Sequence, residues 1–492
     1  MPEGKAIYIP EDLQGMDLQD PDSEWSFHRM HCTDNMAIFW QKGFGPSLAT
    51  APDLEGNSMK VDLDNLAQKL ESFYCFFRDT LHFVLPNSAA ERTRMMVMLN
   101  YSLEGTAYGG TYDDSIGALW IAPNRVQDEK LNCIAHELGH SFQCQIGADR
   151  PEGEWQAYGF YEMASQWMLW QVNPDWLTDE NYHYEAFKKL THRAFLHLDN
   201  IYHSPYVLQY WSDIRGRDVI GELFREGRNG EDALMTYKRL FGLNQLQMCD
   251  EMFEACRHIV GLDYRHAWNE TRQYAGQIDT PTDIDPQGWT RPKQEFTPED
   301  YGFNVFPISL NTYRGTITLS FEGLANRSGW RYGIVAEKAD GHYDYSTIGY
   351  KARGTLRYTL PAGTRRAWVV VMGAPSVHTP LNPSELFGAH SSHGVALSFQ
   401  TTLAFSFVFL LKNGQPSHFS RPKTAPNCEN CPFFLFIPHL FPIFAPSVSL
   451  LSYYEKQVST VFVSFAVPFD CLSRHHVASS RGDTELPSSD GE

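Results

Sequence analysis

The spacing of apolar residues changes along the chain from a helical period to a period of two. Through the first half it follows the three-to-four-residue period of helices, most clearly over residues 59–81 and 131–146, with short apolar runs typical of buried strands between them. Beyond a proline-punctuated linker the period becomes two, as in strands with one buried face. The alternating runs are residues 316–321, 331–337, 346–350, 355–360 and 367–372.

These patterns predict an α+β domain over residues 1–285, followed by a small all-β sandwich over residues 299–384. The remaining tail, residues 385–492, fits neither class. It contains an uncharged run at 395–411, at the short end for a bilayer span, and its polar end is typical of disorder. We expect an atypical, poorly ordered tail, and we prefer a non-native extension to a membrane anchor as its explanation.

The strongest chemical signal lies in the helix predicted over residues 131–146. His136 and His140 are four residues apart, so a helix presents both imidazoles on one face. Two histidines in this spacing can bind one Zn²⁺ ion, and Glu137 beside them can accept a proton from a water molecule that the metal activates. The alternative is two histidines on a helix face with an ordinary ion-pairing glutamate.

A catalytic zinc site of this kind needs a third protein ligand. The helix predicted over residues 157–172 is apolar on nearly every side, which indicates burial, and it contains Glu162. A carboxylate in such surroundings requires a cation or several hydrogen-bond donors, and zinc would satisfy it. An arginine or lysine partner is the alternative. The sequence therefore predicts a metal site formed by His136, His140 and Glu162.

These motifs resemble those of known proteins. HExxH on one helix with Glu162 on the next is similar to gluzincin-type zinc metallopeptidases. HELGHSFQ at 136–143, Gln166 with Trp167, and GWRYG at 329–333 more closely resemble a family of largely uncharacterised microbial proteins with a C-terminal β domain. The resemblance implies a zincin-like catalytic domain, a Zn²⁺ cofactor and an endopeptidase acting on proteins or glycoproteins.

The resemblance also implies where a substrate would bind. In zincins the strand before the zinc helix forms one wall of the cleft, and an extended peptide pairs with its free edge. We assign this wall to the strand predicted over residues 115–123, through Gly117, Ala118, Leu119 and Trp120. An ordinary interior strand is the alternative.

Gluzincin chemistry further needs a donor that stabilises the oxyanion formed when water attacks the carbonyl, commonly a histidine or tyrosine. His197, Tyr202 and His203 lie in a histidine-rich stretch downstream of Glu162 and are the candidates. The alternative for each is a packing role in a helical region.

Composition and the N-terminal sequence bear on the class of binding partner and on the cellular location of the protein. Asp and Glu number 59 against 40 Lys and Arg, a formal charge of −19, which argues against nucleic acid and against an anionic membrane surface. The N-terminus shows no apolar signal core, although the resemblance implies an extracellular protein. We expect a peptide or glycoprotein partner and leave the oligomeric state open.

Two other functions remain open. Trp330, Tyr332 and Trp368 could stack on sugars, as in a catalytically inactive carbohydrate- or surface-binding protein, but aromatic residues in strands are more often core. The presence of Glu137 argues against an inactive protein, because a binding relic needs no general base. A zinc hydrolase of a non-peptide amide is the other hypothesis, and the sequence does not separate it from a peptidase.

Overall fold

Six strands of the N-terminal part form one sheet in the computed structural model. They are β1 (Ala6–Ile7), β2 (Met30–Cys32), β3 (Met36–Trp40), β4 (Thr93–Leu99), β5 (Ala107–Tyr112) and β6 (Ile116–Ile121). The order across the sheet is β2-β3-β4-β6-β5, and β1 pairs with the start of β4. The parallel strands β3, β4 and β6 are almost wholly buried, as their near-continuous apolar runs require. β5 runs antiparallel to β6 and forms an edge of the sheet.

Two α-helices lie between strands of this sheet, and further helices fill most of the chain from its last strand to residue 271. They are α1 (Glu11–Gln14), α2 (Leu63–Asp79), α3 (Asn132–Asp149), α4 (Gly159–Val172), α5 (Trp176–Asp179), α6 (Asn181–Leu190), α7 (Tyr206–Arg215), α8 (Val219–Glu226), α9 (Ala233–Leu240), α10 (Gln245–Gly261) and α11 (Trp268–Thr271). α3 lies across β5 and β6. α2 packs beside α3, where the Phe77 and Phe142 ring centroids are 5.6 Å apart.

α3 and α4 are the helices predicted over residues 131–146 and 157–172, and they pack closely against each other. Small residues line the contact: a Cβ atom added to Gly139 would lie 2.8 Å from Ser165 Oγ. Both helices are buried on most sides, as the apolar composition of α4 indicates. The close approach brings the first turn of α4 against the middle of α3, where the histidines lie.

Antiparallel strands form the C-terminal part of the described chain. They are β7 (Thr282–Ile284), β8 (Thr290–Pro292), β9 (Phe303–Ile308), β10 (Thr316–Glu322), β11 (Ser328–Lys338), β12 (Tyr343–Tyr345), β13 (Arg353–Thr359), β14 (Thr364–Pro375) and β15 (Thr402–Leu403). β7 pairs with β8, a four-stranded sheet has the order β12-β11-β14-β9, and a three-stranded sheet has the order β13-β10-β15. The mixed α+β class with several sheets is therefore confirmed.

The four-stranded sheet belongs to two cores at once because its side chains alternate between its faces. Val335 and Val370 face the helices and join the core that holds the N-terminal sheet. Ile334 and Val369 face the three-stranded sheet and form a second core with residues such as Phe321. This is the sandwich packing of two sheets, with α10 covering the outer face of one of them.

One expectation for the β region was wrong, and one open alternative is decided by burial. Residues 346–350 do not form a strand, because the chain leaves β12 at Tyr345 and makes only an isolated bridge at Gly349. The aromatic residues considered for sugar stacking are core residues, since Trp330, Tyr332 and Trp368 are each at most 2% exposed. Their rings are covered by the packed sheets and helices, so they offer no face to a sugar.

The structure describes residues 4–155, 157–284, 286, 288–310, 315–323, 328–380 and 402–403, and these fall within one compact unit. Of the tail predicted at 385–492, and of the candidate span at 395–411, only Thr402 and Leu403 are among them. No helix in the described part of the chain is both long and apolar enough to cross a bilayer.

Candidate metal centre

Three side chains from α3 and α4 converge in a largely buried position. His136 and His140 project from successive turns of α3, and Glu162 projects from the first turn of α4. The two Nε2 atoms are 3.1 Å apart, and Glu162 Oε2 lies 3.2 Å from His136 Nε2 and 3.1 Å from His140 Nε2. A tetrahedral ion with bonds of about 2.1 Å needs ligand atoms about 3.4 Å apart, so these three atoms fit a zinc-sized ion.

Two glutamines fix the orientation of the histidine rings. The Gln166 side-chain NH₂ donates to the Tyr202 backbone carbonyl at 3.0 Å, so its Oε1 faces His136 Nδ1 and accepts from it at 2.9 Å. Gln143 donates to a backbone carbonyl of α4 at 3.1 Å and accepts from His140 Nδ1 at 2.9 Å. A neutral imidazole carries one N–H, so a ring whose Nδ1 donates to its glutamine has Nε2 free to bind a metal ion, as a metal ligand must.

The electrostatics of the cluster favour positive charge. Burial alone raises the pKa of the Glu162 carboxyl, but His140 and His136 lower it far below its usual value. Burial likewise lowers the pKa of His140, whereas the Glu162 carboxylate raises it to about 9. A buried carboxylate that stabilises a cation on its neighbour so strongly is suited to hold a divalent metal ion.

Glu137 lies beside these three residues and is held by the edge strand. The backbone N–H of Gly109 in β5 donates to Glu137 Oε2 at 3.0 Å. Burial raises the pKa of the Glu137 carboxyl, while His136 and His140 act against that rise. A Cβ atom at Gly109 would lie 1.8 Å from the backbone oxygen of Glu137, so only glycine lets β5 approach α3 this closely.

The strand assigned to the substrate wall is an interior strand. β6 pairs with β4 on one side and with β5 on the other, so Ala118, Leu119 and Trp120 have no free edge. Gly117 pairs with β5, and its backbone N–H donates to the Gln145 side chain at 2.8 Å. The expected pairing of these four residues with a substrate was therefore wrong. β6 instead anchors α3, because Ser141 Oγ donates to the Ala118 carbonyl at 2.7 Å. The free edge beside the candidate site belongs to β5.

Tyr202 is the oxyanion candidate whose contacts reach the metal cluster. Its ring stacks beside the His136 ring with 6.2 Å between centroids. Burial raises the pKa of Tyr202 well above its usual value, and so does the Glu162 carboxylate, to which the Tyr202 hydroxyl hydrogen-bonds. The hydroxyl therefore stays protonated and can donate.

The other two candidates lie farther out. His203 Nδ1 is 2.6 Å from His183 Nδ1, and this pair connects to His136 through Gln166. His197 Nδ1 accepts from the backbone N–H of Asp199 at 3.1 Å and lies 3.6 Å from the Asp199 carboxylate. The structure thus brings Tyr202, but neither His203 nor His197, into contact with the three converging residues.

Sequence reasoning missed the residues that support the histidines. Gln143 and Gln166 are 1% and 3% exposed, and His183 is also buried. A signal was present: Gln143 follows His140 by three residues and Gln166 follows Glu162 by four, so each shares a helix face with a candidate ligand. A polar residue in an otherwise apolar helix requires a buried partner, and here each has one.

The described residues define a mixed α+β protein with a candidate His-His-Glu metal site. Residues 1–402 match the family of unknown function DUF6055, and the chain belongs to that family. No curated protein matches it. Among solved structures, an M1 zinc metallopeptidase from Deinococcus radiodurans is similar, with 12% identity and a TM-score of 0.25. The likeness covers 51% of this chain and 52% of that one, so this chain spans about half the enzyme's length.

Proposed function

We propose that this protein is a zinc-dependent peptide-bond hydrolase, a gluzincin-type endopeptidase acting on proteins or glycoproteins, with His136, His140 and Glu162 as metal ligands. The observation that carries the proposal is the convergence of two imidazole Nε2 atoms and one carboxylate oxygen within 3.2 Å of one another. Two imidazoles and a carboxylate are a common catalytic zinc set, which keeps a further coordination position open. When bound, zinc supplies a Lewis acid that polarises water and carbonyl groups.

Glu137 is the proposed general base. Its position on α3, next to His136, and its hydrogen bond from the Gly109 N–H hold the carboxylate at the edge of the cluster. Burial makes this carboxylate a stronger base than an exposed glutamate, because it disfavours the charged form. Glu137 would accept a proton from the attacking water and pass it to the leaving amine.

Tyr202 is the proposed oxyanion donor. A phenol with a raised pKa keeps its proton at neutral pH, so it can donate to the oxygen that gains charge as the carbonyl is attacked. Its ring beside His136 puts this donor within the same cluster of side chains.

The outer edge of β5, the last strand in the order of the sheet, is the proposed binding surface for an extended peptide. In an antiparallel pair, alternate residues direct their backbone groups away from the partner strand. The Gly109 N–H follows this rule, since it donates to Glu137 and not to β6. By the same alternation, the backbone groups of Ala107 and Thr111 face outward and could pair with a substrate main chain, while side-chain subsites set preference.

The carbohydrate-binding alternative has lost its support, because the three aromatic residues it requires are buried. Hydrolysis of a non-peptide amide uses the same metal ligands, general base and oxyanion donor as the proposed peptidase. A peptide-library digest therefore separates the two.

The test combines metal content with cleavage of a proteome-derived peptide library, with and without a chelator. The wild-type protein should retain about one zinc per chain and cleave peptides, and chelation should stop cleavage until zinc is restored. Glu137→Gln should keep the zinc and lose about 10²–10⁴-fold in turnover. His136→Ala should lose the zinc.

Glu129→Gln provides the matched control, because Glu129 is exposed just before α3 and lies outside the cluster. It should change neither zinc content nor turnover. A zinc-loaded wild-type protein that cleaves no peptide would refute the peptidase, and cleavage that survives both chelation and Glu137→Gln would refute the mechanism.

A further inference from the structure

A buried hydrogen-bonded series continues behind His136, away from the metal cluster. It runs from His136 Nδ1 to Gln166 Oε1 at 2.9 Å, from Gln166 Nε2 to His183 Nε2 at 3.1 Å, and from His183 Nδ1 to His203 Nδ1 at 2.6 Å. Its members come from α3, α4, α6 and the segment before α7. Side chains from four separate parts of the chain are thus connected by these hydrogen bonds.

The direction of every hydrogen bond in this series follows from one fixed point. The backbone carbonyl of Tyr202 can only accept, so the Gln166 atom 3.0 Å from it is the NH₂ group. That group's other N–H points at His183 Nε2, which must therefore be an acceptor. His183 then carries its proton on Nδ1 and donates to His203 Nδ1, which leaves the proton of His203 on Nε2.

The surroundings hold this pattern in place. His183 is buried between aromatic rings, with Trp176 and Tyr182 centroids 5.6 and 4.3 Å away. Glu180 Oε2 lies 3.6 Å from His183 Nε2, beyond hydrogen-bond range, so Gln166 is the partner of that nitrogen. Burial and the neighbouring His203 lower the pKa of His183 to about 2. Burial also lowers the pKa of His203 to about 4, so both rings are neutral at physiological pH.

We propose that Gln166, His183 and His203 are positioning residues that hold His136 in the tautomer with a proton on Nδ1 and a free Nε2, and that they thereby set the affinity of the site for zinc. The inference rests on the proposed metal site. It assigns His203 a role different from that of an oxyanion donor.

These residues can fix the tautomer of His136 because the opposite orientation of the Gln166 amide is energetically unfavourable. If the Gln166 amide rotated by half a turn, its NH₂ would face His136 Nδ1, and the ring would have to place its proton on Nε2 and could not bind a metal there. Rotation would also set the Gln166 oxygen against the Tyr202 carbonyl and against His183 Nε2, three acceptors with no proton between them. His183 and the Tyr202 carbonyl together therefore lock the amide.

Zinc affinity, measured by competition with a chromophoric chelator, is the first test. Gln166→Met removes the acceptor for His136 and should weaken zinc binding about 10–100-fold, the usual effect of losing a residue that orients a metal ligand. His183→Leu leaves one Gln166 N–H unpaired and should weaken binding about tenfold. His183→Gln restores an acceptor near the position of Nε2 and should stay within about threefold of wild type.

Gln171→Met is the matched control, because Gln171 lies on the same helix and hydrogen-bonds Gln209, away from the metal cluster. It should leave zinc affinity unchanged. If Gln166→Met and His183→Leu bind zinc as tightly as the wild type, the proposal is wrong.

The second test reads the tautomers directly in the wild-type protein. In the full-length, metal-free protein labelled with ¹⁵N-histidine at about pH 8, the ring nitrogen shifts should show His183 protonated on Nδ1 and His203 protonated on Nε2. Single His→Gln variants assign the signals. A proton on His183 Nε2 in the wild type would overturn the proposal.

The outcomes separate this inference from the proposed function. A wild-type protein that binds no zinc fails the proposed function whatever the tautomers are. A protein that binds zinc but cleaves nothing can still show the affinity losses and the tautomer pattern, and the positioning role then stands while the peptidase falls.

Discussion

Gly109→Ala tests the coupling between the edge strand and the candidate base. The added Cβ atom would lie 1.8 Å from the Glu137 backbone oxygen and 2.8 Å from its carbonyl carbon, whereas real Cβ contacts essentially never fall below 3.0 Å. β5 and α3 must therefore separate by more than about 1 Å at this point. The hydrogen bond from the Gly109 N–H to Glu137, 3.0 Å long, would break.

Two effects of different size should follow. Overpacking of this kind costs about 1–3 kcal/mol of folding free energy. A displacement of about 1 Å at a catalytic group costs about 100-fold in turnover. Zinc content should be retained, because His136, His140 and Glu162 all lie on α3 and α4 and none lies on β5.

The assay compares turnover of a peptide cleaved by the wild type, zinc content and thermal unfolding for Gly109→Ala and Gly110→Ala. Gly110 is the neighbouring residue of the same strand. The three atoms nearest to a Cβ atom there all belong to the Tyr108 side chain, at 3.2–3.4 Å, and that side chain can move. Gly110→Ala should stay within a few-fold of wild-type turnover. Wild-type turnover and melting temperature in Gly109→Ala would refute the reasoning, and so would loss of zinc.

Two further predictions concern stability away from the metal cluster. Trp330 is 1% exposed, so Trp330→Ala leaves a cavity in the second core and should lower the free energy of unfolding in urea by about 3–5 kcal/mol. Val377→Ala is the control: Val377 is 74% exposed, and the change should alter the free energy of unfolding by less than about 0.5 kcal/mol. Burial and Arg193 lower the pKa of His192 from 6.5 to about 4, so the folded protein favours the neutral ring. The contribution of His192 to folding stability is therefore present above pH 6.5 and is lost as the pH falls towards 4. His192→Gln should flatten the loss of stability in that window by up to about 1.4 kcal/mol per pH unit, and an unchanged slope in pH-dependent unfolding would contradict this.

Much of the fold follows from local pattern, because local pattern is what determines helices. The helix predicted over residues 131–146 runs from Asn132 to Asp149, and the apolar helix predicted over 157–172 runs from Gly159 to Val172. The order of strands in a sheet is different, since it depends on contacts between distant segments. β5 returns antiparallel and covers β6, and nothing in the composition of β6 reveals this.

The candidate site divides in the same way. Spacing within one helix is sufficient to place His136 and His140 together, and the isolated carboxyl in α4 indicates Glu162. The hydrogen-bonded partners are harder, because Gln166 acquires its role only when Tyr202 and His183 arrive from later segments. A glutamine in a buried helix signals that some partner exists, but its identity is a property of the folded chain.

The sheet β12-β11-β14-β9 has a consequence for how this protein can be divided. One of its faces is packed against α10, where Cys256 Sγ lies 3.7 Å from Met372 Sδ and Arg257 donates to the Ser346 carbonyl at 2.5 Å. A polypeptide that stopped after α11 would expose that side of α10 to water and would tend to aggregate. The part of the chain that contains the candidate metal site therefore does not form a separate folding unit, and gene fusions that use it must include the strands up to Pro375 as well.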